Sequence, residues 1–351
     1  MKMTEKEAIK KFKKTTIQFA QWDITSLCNL RCRHCRAWKL PKDNELSTKE
    51  SINLLKQLAG LKVKFLNLSG GEPFLRKDIF VLLEHTRNFD SVTITSNGTA
   101  LDKYSIKKLK AFKNLRISLS LDGMENFHDD FRQVRGTFKK AINAIKNLTE
   151  SSIPTTVKFT LTKFNKNEAL KVFDLVSRYR IESLNFRAVL PAGRANKSIM
   201  PTSEQYKKVS KELLAMSKEK KVPVISGDPI LFPLFPELMG EIWNRLEEKV
   251  FTNIYAGCLA GDEIIYIKPN GDVGVCAYIP RVVGNITKTP LIKLINETFL
   301  FRQLNNCHDK LEGMCGKCKH RYLCGGCRAA ALVINKNILA EDSRCLLYSN
   351  K

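Results

Sequence analysis

Between residues 15 and 190 short apolar runs alternate with longer amphipathic ones, and no other feature limits the available folds so strongly. Strands are predicted at Thr16 to Thr25, Val63 to Ser69, Ser91 to Thr95, Leu115 to Leu121, Thr155 to Thr162 and Ser183 to Ala188. The segments between them read as helices. Ser47-Thr-Lys-Glu50 opens the first with a capping box, in which a side-chain oxygen and a carboxylate serve unpaired amides of the first turn. Ile52, Leu54, Leu55, Leu58 and Ala59 then form a helical apolar stripe. Alternating strand and helix predict a parallel sheet with right-handed crossovers. Ligands then belong at the C-terminal ends of the strands.

At 351 residues the chain exceeds the usual size of one domain, and 43% hydrophobic residues suffice for a substantial core. Residues 1–195 are assigned to the alternating unit, closed by Pro191-Ala-Gly193. Residues 196–250 read as a helical bridging segment, with a polar helix at about Thr202 to Lys221 and Pro-rich text through Pro236. Residues 251–351 form a third part dominated by cysteines. No apolar run is long enough to span a membrane. Met1-Lys-Met-Thr-Glu-Lys lacks the apolar stretch of a signal peptide. Eleven cysteines in a long leaderless chain point to metal binding in a reducing cytoplasm rather than to disulfides. The net charge of +24 raises nucleic acid as a partner. Yet the basic residues scatter over predicted helices, as at Lys107-Lys108 and Lys139-Lys140, where solvated faces account for them. The remaining field favours an acidic substrate or peptide.

The chemistry concentrates at Cys28-Asn-Leu-Arg-Cys32-Arg-His-Cys35. Three thiolates on one short loop can hold three corners of an iron–sulfur cubane, whereas the usual protein-bound cluster takes four. One iron then keeps an open position, as catalytic metal sites do. A zinc knuckle is the bland alternative and needs a distant fourth ligand. About 35 residues on, the predicted strand ending at Ser69 runs into Gly70-Gly71-Glu72-Pro73. Two glycines there permit positive φ and close backbone approach to a ligand, and Glu72 can present a carboxylate to an ammonium group.

The remaining cysteines cluster near the C-terminus. Cys258 and Cys276 flank a predicted hairpin with its tight turn at Asn270-Gly271. Cys315-Gly-Lys-Cys318, Cys324-Gly-Gly-Cys327 and Cys345 follow. Two thiolates two residues apart can grip one metal from a single turn. Two such pairs alone also suit a zinc ribbon, but here three further cysteines accompany them.

In this order, the cysteine triplet, the Gly-Gly-Glu-Pro segment and the C-terminal cysteines resemble the radical S-adenosylmethionine (SAM) superfamily with its SPASM extension. The resemblance implies an α/β partial (β/α)6 TIM-like barrel followed by a small Cys-rich SPASM domain. It implies SAM as cofactor, cleaved reductively to a 5′-deoxyadenosyl radical, and three 4Fe-4S clusters. Cys28, Cys32 and Cys35 would hold the SAM-binding cluster. Cys315, Cys318, Cys324 and Cys345 would hold one auxiliary cluster, and Cys258, Cys276 and Cys327 the other. Some family members add a cysteine before the first of these, where this chain has Thr252. Cys307 completes that cluster, or it is a plain buried thiol and the site is open.

Gly70, Gly71 and Glu72 would hold the SAM amino group, and His34 would lie against the adenine unless it is a surface histidine. Ser96 and Asn97, in an Asn-Gly turn after the third strand, could reach the ribose, with Ser120 at the end of the fourth. Arg132 is a candidate for the SAM carboxylate, since a guanidinium fork fits it bidentately. Arg187 could face cofactor or substrate. A structural ion pair is the competing reading for both arginines.

Cys324-x2-Cys327, continuing as Arg328-Ala-Ala-Ala, is similar to the branch containing heme-forming decarboxylases and several peptide maturases. The leading expectation is maturation of a ribosomally made peptide. The alternative is tetrapyrrole side-chain chemistry on a carboxylated small molecule. The first strand near residue 16 leaves no room for a leader-peptide-binding domain, so a separate protein would supply one. An electron donor such as flavodoxin or ferredoxin is expected as a further partner. From other classes, a non-catalytic electron carrier has no need of a SAM amine site. A zinc-dependent nucleic-acid binder has only the basic charge in its favour.

Overall fold

The computed structural model describes residues 17–239, 257–305 and 307–348. Thr16, the end of the bridging segment from residue 240 and Thr252 lie outside the described residues. Six parallel strands follow one another across the sheet: β1 (Phe19–Thr25), β2 (Phe65–Gly70), β3 (Ser91–Ser96), β4 (Leu115–Ser120), β5 (Thr155–Leu161) and β6 (Ser183–Ala188). Helices α1 (Thr48–Gly60), α2 (Ile79–Glu84), α3 (Lys103–Leu109), α4 (Glu125–Arg132), α5 (Thr137–Glu150) and α6 (Lys166–Val176) cross between them. This is the parallel sheet expected from the alternation, in the partial (β/α)6 arrangement that the resemblance implied.

Period-two patterning on the strands divides the sheet into two faces. Trp22, Leu68, Ile94, Leu119, Phe159 and Phe186 are almost wholly buried in the main core. Burying each such side chain contributes about 1.5–3 kcal/mol. The alternate positions are polar, and they meet in register: Ser120 opposite Lys158, Lys158 opposite Asn185, Thr160 opposite Arg187. The expected capping box holds α1, with the Glu50 amide donating to Ser47 Oγ at 3.3 Å and the Ser47 amide to Glu50 Oε2 at 2.9 Å.

The bridging segment supplies α7 (Ser203–Lys220), capped by Thr202, and the short strand β7 (Val224–Ile225), which pairs with β6. On the other flank lies the predicted hairpin, formed by β8 (Ile264–Ile267) and β9 (Asp272–Gly274) with Gly271 at φ +84° in its turn. β8 also pairs in parallel with β1, from Phe19 opposite Ile264 to Trp22 opposite Ile267. With β10 (Gly284–Asn285) the sheet reaches ten strands, so chain beyond residue 257 continues the barrel sheet. The Tyr266 hydroxyl fastens this extension by donating to Asp23 Oδ2 at 2.5 Å. Among the described residues no helix is long and apolar enough to cross a membrane.

Candidate active site

The cysteine loop leaves the C-terminal end of β1 and folds back against the end of β2. The Gly71 amide donates to Thr25 O at 2.8 Å and the Glu72 amide to Leu27 O at 2.7 Å. A Cβ on Gly70 would lie 2.2 Å from Thr25 O, and one on Gly71 would lie 2.1 Å from Leu27 O. Only Gly70 has positive φ, at +130°. The glycines were expected to admit a ligand; their closest neighbour is the backbone of the cysteine loop. A third glycine closes the loop's far end: Gly193 would place a Cβ 2.1 Å from Cys35 O, and the Arg194 amide donates to that oxygen at 3.0 Å.

Cys28, Cys32 and Cys35 line one cavity of about 260 Å³ at the C-terminal ends of the strands. His34, Gly70, Gly71, Ser96, Asn97, Ser120 and Arg132 share that wall, and so does Arg187. Burial raises the Cys32 thiol above its ordinary range. Metal binding at this loop therefore releases protons.

Glu72 lies directly behind the wall that Gly70, Gly71, Ser96 and Asn97 line. Its side chain is fully buried and outside the cavity wall. Oε1 accepts from Ser96 Oγ at 2.7 Å and from the Phe74 amide at 3.2 Å, while Oε2 accepts from the Asn97 amide at 2.7 Å. Burial still raises its carboxyl above the usual range, against the lowering effect of these bonds. Glu72 thus ties the end of β3 to the loop after β2, and places Ser96 and Asn97 in the wall.

Arg132 reaches the cavity from α4. One terminal nitrogen donates to Asp122 Oδ2 at 2.5 Å, the other to Cys32 Sγ at 3.7 Å, and its buried Nε has no partner. Burial would raise Asp122, but the Arg132 charge keeps it below the ordinary carboxylate range. His34 stacks on Phe131 with the ring centroids 4.6 Å apart and the rings nearly parallel, and its buried Nδ1 has no partner. Burial lowers its pKa to about 4, so the imidazole is neutral at pH 7. Arg132 Nε and His34 Nδ1 are donors or acceptors left over at the cavity wall, as a polar cofactor requires.

Sequence reading missed the lower wall: Gln21, Arg36, Asn67, Thr95, Lys158, Asn185 and Tyr278. For Gln21, Asn67, Thr95, Lys158 and Asn185 a signal existed, since polar residues recur at every second position of strands whose other face is apolar. Arg36 is fixed by both Asp23 oxygens at 2.7 Å and lies over the rings of Tyr266 and Tyr278.

The C-terminal cysteines fall into two groups. Cys315, Cys318, Cys324 and Cys345 line a cavity of about 300 Å³. Cys258, Cys276 and Cys327 line another of about 270 Å³. Cys307 is buried on a short turn and lines neither. Gly325 and Gly326 take φ of +59° and +63° between Cys324 and Cys327. A Cβ on Gly326 would lie 2.7 Å from Asp342 Cβ, so the turn needs glycine for space as well as for φ. Among the described residues no group of three Cys, His, Asp or Glu closes on a single-ion position; the thiols surround cavities instead.

Comparison with known proteins agrees with this architecture. A family model of the radical SAM superfamily matches residues 22–176, and a SPASM model, described as an iron-sulfur cluster-binding domain, matches 258–319. The AdoMet-dependent heme synthase of Methanosarcina barkeri is 29% identical over 339 residues, covering 94% of this chain and 96% of that protein. The mycofactocin maturase MftC of Mycolicibacterium smegmatis is 27% identical, covering 93% and 81%. Streptococcus suis SuiB, crystallised with its precursor peptide SuiA, shares the fold with a TM-score of 0.79 at 21% identity, covering 96% and 78%. The chain carries a radical SAM domain over residues 22–176 and a SPASM domain over residues 258–319. It is therefore an enzyme of the class that uses an iron–sulfur cluster and SAM.

Proposed function

We propose that the Cys28, Cys32 and Cys35 loop holds the SAM-cleaving cluster, and that hydrogen is taken from a substrate carbon lying between this loop and the Cys258, Cys276 and Cys327 cavity. The observation that carries the reading is a shared wall: Gln21, Arg187 and Tyr278 line both cavities. When bound and reduced, the cluster and SAM supply a 5′-deoxyadenosyl radical, the hydrogen-abstracting species of the superfamily.

The protein's part is to bind, orient and exclude. Gly70 and Gly71 seat the cysteine loop, and Glu72 places Ser96 and Asn97 for the cofactor's polar edge. Arg132 keeps one donor free toward a SAM carboxylate while Asp122 fixes its orientation. Neutral His34 offers a flat face backed by Phe131. The two C-terminal groups of cysteines would hold auxiliary clusters. The one sharing a wall with the active-site cavity is suited to accept an electron from substrate, and a flavodoxin or ferredoxin would supply the electron that starts the cycle.

The substrate reading favoured here is oxidative side-chain chemistry on a carboxylated tetrapyrrole, supported by near-full-length similarity to heme synthases. Peptide maturation is supported by the comparable similarity to mycofactocin maturase. Anaerobic reconstitution with dithionite tests the catalytic claim. About twelve irons per chain and 5′-deoxyadenosine from SAM are expected; about four irons would remove the auxiliary assignment, and absent cleavage would remove the function. Dependence of product formation on iron coproporphyrin III or on a short peptide then separates the two substrates.

A further inference from the structure

Among the described residues, two positive charges lining the active-site cavity, Lys158 and Arg187, have no ion-pair partner. Lys158 points inward from β5, and its Nζ donates to Thr95 Oγ1 at 3.0 Å. Burial, then the charges of Arg36 and Arg187, lower its pKa to about 8. Arg187, on β6, lines both cavities; its guanidinium lies 4.8 Å from the Tyr278 ring centroid and its buried Nε is unpartnered.

Three nearby carboxylates are bound to other side chains, and Glu263, which lines the second cavity with Arg187, forms no ion pair with it. Asp23 is held by Arg36 and Tyr266. Asp122 is held by Arg132, and Asp228 by Arg344 at 2.8 and 3.2 Å. Among the described residues none lies within ion-pair distance of Lys158 or Arg187. Burial and the neighbouring cations hold Lys158 down, while Tyr278, Asp228 and Cys327 offset burial at Arg187 and keep it charged, so an anion between the two is favoured chiefly on the Lys158 side.

We infer that Lys158 and Arg187 together grip a carboxylate group of the substrate in the chamber between the two cysteine-lined cavities. The inference rests on the reading of that chamber as the substrate site. Arg187 provides a planar fork for two parallel hydrogen bonds, and Lys158 a compact charge from the adjacent strand. A carboxylate there relieves the repulsion at Lys158. The carboxylate comes from a propionate-bearing small molecule or from an acidic side chain of a peptide; the chemistry recognised is the same.

The test uses anaerobically reconstituted holoenzyme and two matched probe pairs: iron coproporphyrin III against its tetramethyl ester, and a glutamate-bearing peptide against its glutamine analogue. For at least one pair the wild type is expected to bind the free acid roughly 10- to 100-fold more tightly, the range of a charge-assisted contact. Lys158→Met and Arg187→Met should each remove most of that preference with iron content unchanged, and Arg187→Lys should restore part of it. The pair that shows the preference identifies the carboxylate's source. Equal binding of acid and neutral analogue in both pairs overturns the inference without any variant. So does loss of iron in Arg187→Met, which would make the arginine a counter-charge for the Cys327 site, or weakened SAM binding with intact probe binding. Absent SAM cleavage by the wild type would instead sink the functional reading beneath it.

Discussion

The carboxylate of Asp342 accepts a hydrogen bond from the Cys327 amide at 2.9 Å. The Asp342 amide in turn points at Cys315 Sγ at 3.4 Å, so one residue spans the two C-terminal groups of cysteines. Arg344 holds Asp342 at 2.7 Å and Asp228 at 2.8 Å, with all three side chains buried.

Arg344→Met should therefore leave two buried carboxylates facing each other. Removing one partner of a buried pair costs about 3–5 kcal/mol. Thermal unfolding should record that loss, and iron retained by the C-terminal cysteines should fall. A variant with wild-type midpoint and iron content would show that this arginine does not organise the two sites.

Gly71 has ordinary φ, so its requirement is space alone. Gly71→Ala would press a methyl group onto Leu27 O and push the loop bearing Cys28 away from β2. Displacement of about 1 Å at a reacting centre can cost on the order of 100-fold in rate. SAM cleavage should drop by about that factor while the C-terminal iron stays bound. Cleavage within two-fold of wild type, on the order of assay error, would refute the close-approach argument.

His128 Nδ1 accepts the Asp122 amide at 3.1 Å, which requires the neutral imidazole. Burial, reinforced by Arg132, lowers its pKa to about 4. The unfolded chain, with an ordinary histidine near 6.5, takes up the proton first as pH falls. Stability is thus lost between about pH 6.5 and 4, amounting to about 1 kcal/mol from pH 7.5 to 5.5. Urea unfolding of the iron-free chain at those two pH values should show this loss in wild type and less of it in His128→Gln. An identical loss in both would assign it to other groups.

The barrel was readable because each strand had to be apolar on one face, so that runs such as Val63 to Ser69 announced themselves close to their true bounds. The capping box at Ser47 and the turn at Gly271 were equally local, and were equally visible. What depends on distant partners was not. Nothing near Ile264 indicates that its strand pairs with β1, because that contact is chosen by the sheet edge left open. Lys158 reads as a surface lysine until β5 is turned inward beside Asn185 and Arg187. Glu72 was recognisable as part of a site, but its orientation is set by Ser96 and Asn97, which come from the next strand. For the C-terminal cysteines, spacing alone pairs Cys315 with Cys318 and Cys324 with Cys327; the resemblance, not the spacing, separated Cys327 from Cys324, and packing puts it in the cavity lined by Cys258 and Cys276.

The most direct check is the yield of 5′-deoxyadenosine from SAM under dithionite, measured anaerobically for wild type and for the combined Cys28→Ala, Cys32→Ala and Cys35→Ala variant, with iron counted in both. The account predicts product from the wild type, none from the variant, and about eight of about twelve irons retained. Equal product from the two proteins would contradict it.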